Sequence, residues 1–187
     1  MLTIKRNSDS RVVKCILHRV ADIPGGVTIN VANLGGGAVL EGTPLAKGSS
    51  GLFEVVKTAQ VVEAATTGAT TLKVAKGHHF KVNDYIAFSS TNKGNKITAI
   101  DKSNAGYDAL TVSAIAGDIA LGACGVQTTS TTTYAPKFDT IAIAGSNYDV
   151  DGGNLFVDAW VIGVVREANA PIVNDAIKNA IAGIRYV

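Results

Sequence analysis

The chain has 187 residues, of which 17% are charged and 6% aromatic, and a net charge of +2. That length makes one domain or two small ones with a core of their own, so no disulfide or metal staple is needed for folding. The low charge excludes a dedicated nucleic-acid binder, which concentrates Lys and Arg on one face.

The charge is nonetheless uneven. Residues 1–20 carry Lys5, Arg6, Arg11, Lys14 and Arg19 against Asp9, a local balance of +4, and the last 51 residues balance at −2. Opposite ends are therefore expected to attract, within a subunit or between subunits. The opening MLTIKRNSDSR has no apolar leader core, and no apolar run approaches the roughly 18 residues of a membrane span. The expectation is assembly in a cytoplasm, with no membrane partner.

In chain order, residues 11–20, RVVKCILHRV, read as a strand, because apolar and basic residues mix without a helical stripe. ADIPGG breaks the chain, and VTINVANL then alternates Val27, Ile29 and Val31 against Thr28, Asn30 and Ala32, the period of a strand with one buried face. The glycine-rich stretch 35–51, GGGAVLEGTPLAKGSSG, follows. It reads as an extended run at residues 38–40, a turn at Gly42, Thr43 and Pro44, and a hairpin loop at residues 48–51, with Lys47 a solvated tip.

LFEVVKTAQVVEA reads as extended, TTGAT as a turn and TLKVAKG as a strand. HHFKVNDYIAF places the turn-forming pair Asn83 and Asp84 between two strand-like runs, and KITAID, DALTVSAI and GACGVQ follow at short spacings. Such short, evenly spaced strands predict a small barrel or sandwich over residues 59–127. TTSTTT, residues 128–133, reads as a linker or an edge strand and marks a boundary.

LFVDAWVIGVV, residues 155–165, is the strongest strand pattern, apolar on both faces except at Asp158. It is expected in the middle of a sheet or at a subunit contact. Trp160 and Phe156 lie on one of its faces, either as anchors for a partner or as core residues. In PIVNDAIKNAIAGIRYV, Val173, Ile177, Ala180, Ile181 and Ile184 recur at helical spacing, which predicts one short helix ending near Gly183. Its apolar face is expected to pack either in the core or against a second copy.

A phosphate loop needs its lysine after the second glycine and a helix behind it, whereas here Lys47 precedes Gly48 and a strand follows. His78 and His79 are adjacent and point to opposite faces of a strand, and Cys15 and His18 have no second pair to complete a metal site. Cys15 and Cys124 stand in apolar contexts that suit buried, reduced thiols. NYDVDGGN, with Asp149 and Asp151, lacks the twelfth-position glutamate of an acidic calcium loop. No nucleophile elbow is present, so the expectation is a protein without catalytic, cofactor or metal residues.

Three stretches resemble the head-fibre and capsid-decoration proteins of tailed bacteriophages: MLTIKRNSDSR, GAVLEGTPLAK and VREANAPIVNDAIKNAIAGIRYV. The middle of the chain, HHFKVNDYIAF through ITAIDKSNAGYDALTV, is similar to a β module of such virion proteins, in which a Gly-Asp turn commonly occupies the place of Asn83 and Asp84. The resemblance implies a homotrimer that attaches to the outside of an icosahedral head once the shell has formed, with the major capsid protein as partner and with no cofactor or catalysis. A distal fibre or a host-surface glycan is a further partner of this kind of protein. It implies capsid contact through the N-terminal arm, with Lys5, Arg6 and Arg11, and through Gly42, Thr43 and Pro44. Trimer contact is expected through Trp160, Val173, Ile177, Ile181 and Ile184.

The fold expected is mostly β. Residues 1–58 and 134–187 form a compact, discontinuous base domain, residues 59–133 an inserted small β-barrel or sandwich with its Thr-rich linker, and the C-terminus one short helix. A linear chain of two domains is the other layout. The function expected is structural, a trimeric capsid decoration protein or head-fibre base on the virion exterior. The alternative is a carbohydrate-binding adhesive β module, for which the inserted module offers Phe80, Tyr85, Phe88 and Tyr107. A hydrolase built on Asp149 and Asp151 is a third reading.

Overall fold

A computed structural model describes residues 14–187, so Lys5, Arg6 and Arg11 lie outside the described residues. The fold is mostly β, with one short α-helix near the C-terminus. The chain lays down β1 (Ile16–Asp22), β2 (Val27–Ile29), β3 (Ala38–Val39), β4 (Pro44–Lys47) and β5 (Phe53–Val55). The strand expected through residue 34 stops at Ile29, because the Asn30 side chain accepts the Ala32 N–H at 3.2 Å and opens a 3-10 turn, Val31–Asn33. The glycine-rich stretch is read correctly in outline. Leu40 and Thr43 close a turn with Gly42 at φ +85°, and Gly48 N–H donates to Leu52 O across the β4–β5 hairpin.

The chain then builds the second sheet from β6 (Thr58–Gln60), β7 (Thr71–Val74), β8 (Tyr85–Ala87), β9 (Asn95–Asp101), β10 (Asp108–Val112) and β11 (Cys124–Thr128). Their order is β6-β11-β8-β9-β10-β7, and the sheet curls until its two edges meet. Val61 bridges Val74, with Val62 N–H to Lys73 O at 3.0 Å and Ala75 N–H to Gln60 O at 2.8 Å. Curling leaves few free edge groups and encloses a core of Leu72, Phe80, Ile86, Ile97 and Leu110, each fully buried. Asn83 takes φ +77° in the turn before β8, while residues 78–81 form a loop rather than the strand expected there.

The return path supplies β12 (Thr140–Ala144), β13 (Tyr148–Asp149), β14 (Leu155–Val157), β15 (Ala159–Val165), α1 (Asp175–Ala180) and β16 (Ile184–Tyr186). The eight-stranded base sheet runs β1-β15-β12-β4-β5-β2-β14, and β16 adds in parallel to β15. Its two faces are covered separately. Leu45, Val55, Ala142 and Ala144 belong to one cluster, while their chain neighbours Ala46, Val56 and Ile143 join α1 in the other, the alternation a pleated strand imposes.

Two expectations change here. The eleven-residue strand 155–165 is two strands, because Asp158 forms a corner. Trp160 Nε1 donates to its carboxylate at 2.9 Å, the Tyr148 hydroxyl donates to the same carboxylate, and β14 leaves to pair with β2. The helix stops at Ala180 rather than near Gly183. Ile184 instead starts β16, which occupies the length of β15 edge that β12 leaves open, from Gly163 to Val165. Asn174 caps the start of α1 by accepting the Ile177 N–H at 3.0 Å.

Candidate functional site

The barrel and the base meet at a seam built on the triple glycine. Gly35 N–H donates to His79 O at 3.0 Å, Lys102 Nζ donates to Gly35 O at 2.9 Å, and Lys81 Nζ donates to Ala32 O at 2.9 Å. A Cβ on Gly35 would stand 2.2 Å from Phe80 O, and one on Gly36 would stand 3.0 Å from both His78 O and His79 Nδ1. Gly35 and Gly36 therefore allow the two units to approach closely.

On one side of the seam lies a cavity of about 460 Å³ between the barrel, from Thr58 to Gln60 and Ala75 to His79, and the base loop of residues 167–172. His78 and His79 line it and are buried at 5% and 6% exposure. His78 Nδ1 accepts the Phe80 N–H at 3.2 Å, which puts the proton of the neutral ring on Nε2, 3.2 Å from Asp108 Oδ2. Asp108 Oδ1 is taken by Lys76 Nζ at 2.6 Å. Burial lowers both imidazole pKa values. His79 falls to about 4, with Lys57 and His78 adding to the effect, while for His78 the Asp108 charge opposes the loss. Both rings are neutral at neutral pH, and the His78 lone pair is already committed to a backbone N–H, so His78 is not placed to act as a general base.

On the other side is a smaller pocket of about 180 Å³. Lys57 Nζ reaches Asp84 Oδ2 at 2.7 Å with its side chain only 4% exposed, and burial lowers its pKa more than Asp84 restores it. Gln127 Nε2 donates to Asp84 Oδ1 at 2.8 Å, and the Glu54 carboxylate accepts from Asn30 Nδ2 and Asn33 Nδ2. Gln127 Oε1 is buried without a partner.

The expected contact residues fall mostly elsewhere. Gly42, Thr43 and Pro44 are buried, and a Cβ on Gly42 would stand 2.8 Å from Cys15 Sγ. Val173, Ile177, Ile181 and Ile184 are 1–5% exposed in the chain's own core, so a contact between copies through this face would require them to leave it. Trp160 is half-buried, with the Arg19 guanidinium 5.3 Å above its ring, while Phe156 is 63% exposed. His18 is exposed on β1, Asp149 is exposed on β13 and Asp151 is exposed just after it. Among the described residues no group of three or more His, Cys, Asp or Glu side chains stands together as a ligand set. Both cysteines are free, and burial pushes both thiols up to about 12.

Of the aromatics expected to hold a sugar, Phe80 is fully buried, Phe88 packs on the barrel core and Tyr107 lies under Lys73 at 5.2 Å. Sequence reading missed Lys57, Gln127 and Asp108, and took Asp84 only as a turn residue. The one signal for them was a lysine inside the apolar run FEVVKTAQVV. Comparison with family profiles, curated proteins and solved structures returned no match to this chain.

Proposed function

We propose that the chain is a structural virion protein, a trimeric decoration protein or head-fibre base bound to the outer surface of a phage capsid, with no catalytic role. The observation that supports this reading is a group of exposed apolar side chains on two neighbouring strands of the base sheet. Leu17 is 48% and Val20 59% exposed on the edge strand β1, and Ile162 is 44% exposed on the adjacent β15. Register places Ala21 opposite Ile162 and Arg19 opposite Gly163, so Val20, unpaired at a bulge, sits beside Ile162. Apolar residues clustered on an edge strand mark a surface that gains by being covered.

Light scattering after size exclusion tests the assembly. The reading predicts a mass three times the 19.2 kDa of one chain, and a single-chain mass for Val20→Asp with its far-ultraviolet circular dichroism unchanged. A single-chain mass for the unsubstituted protein contradicts it.

A further inference from the structure

The larger seam cavity is walled by two units, is floored by apolar side chains and is rimmed by polar ones. Val55, Val56 and Ala59 are 2–3% exposed at its floor, while Thr43, Thr58 and Gln60 bring hydroxyl and amide groups to it. The formal charges around it are already paired: Lys76 with Asp108 at 2.6 Å, and Glu167 with Lys178 at 2.6 Å. His78 Nε2 faces Asp108 Oδ2 at 3.2 Å, and His79 Nδ1, buried beside Gly36, has no hydrogen-bond partner. A charged ligand would have to break one of the ion pairs or remain unpaired in a partly buried site. An apolar ligand would leave the hydroxyl and amide groups of Thr58 and Gln60 without a partner. The volume of about 460 Å³ falls within the usual range for small-ligand sites.

We propose that this cavity binds a neutral glycan unit, a mono- or disaccharide. The apolar carbon face of the sugar lies on Val56 and Ala59, and its hydroxyls reach Thr58 and Gln60. The site is defined by the seam alone and does not rest on the virion reading, so either stands if the other fails.

Methyl glycosides of the common neutral hexoses and N-acetylhexosamines, titrated into the isotope-labelled full chain and followed by amide chemical shifts, test the assignment. At least one glycoside should give saturable shifts at millimolar concentration, centred on Thr58, Gly77 and Ala168 rather than on the far-end turn at Gly68. Asn169→Trp and Gln60→Trp, both at exposed cavity-lining positions, should each weaken that binding roughly tenfold or more while the rest of the spectrum is kept. Saturation by methyl glucuronide alone, shifts outside the cavity, or no saturable shift with any glycoside overturns the proposal.

Discussion

Gly35 and His79 are joined by a backbone hydrogen bond of 3.0 Å that ties the base to the barrel, and there is no room beside it for a methyl group. Gly37, two residues on, has nothing within 4 Å of the position a Cβ would take. Gly35→Ala should therefore lose about 1–3 kcal/mol in urea denaturation, from forced displacement of the Phe80 carbonyl. Gly37→Ala should change stability by no more than about 0.5 kcal/mol. Equal effects would show that the seam is not packed against Gly35.

Stability should fall as acid is added. His79 has a folded pKa near 4 against an ordinary 6.5, so between these values the unfolded chain binds the proton and the folded one does not. The contribution is fully present above about pH 7 and is lost as pH falls towards 4, amounting to roughly 3 kcal/mol for a shift of this size. His78, also lowered by burial, acts in the same direction. Its neighbours Lys76 and Lys102 oppose protonation and Asp108 favours it. His79→Gln should flatten the pH dependence of urea midpoints between 7 and 4. An unchanged slope would place the titration elsewhere.

The Lys57–Asp84 pair should respond asymmetrically. Removing the carboxylate leaves a buried ammonium with no counter-charge, whereas removing the lysine leaves Asp84 with the Gln127 amide and the Lys81 N–H. Asp84→Ala is expected to cost about 3–5 kcal/mol and Lys57→Met clearly less. Thermal or urea unfolding of the two variants measures the order, and Lys57→Met being the more damaging would contradict the geometry.

The strand periods, the hairpin at Gly48 and the turn at Asn83 were legible because each depends on residues close in sequence. The corner at Asp158 was not, since it depends on Tyr148 and Trp160 meeting one carboxylate and on β2 being available to β14. The end of α1 was misread because Ile184 satisfies helical spacing and strand pairing alike, and only the vacant edge of β15 decides between them. The seam was illegible for a similar reason. Gly35, His79, Lys57 and Gln127 belong to stretches up to 92 positions apart, and only the return of the chain from barrel to base assembles them.

The central claim is that this chain is a building part of a capsid exterior. Quantitative mass spectrometry of purified virions tests it most directly. The account predicts the chain in a fixed, near-stoichiometric ratio to the major capsid protein, and removable by protease added to intact particles. Its absence from purified virions would contradict the account.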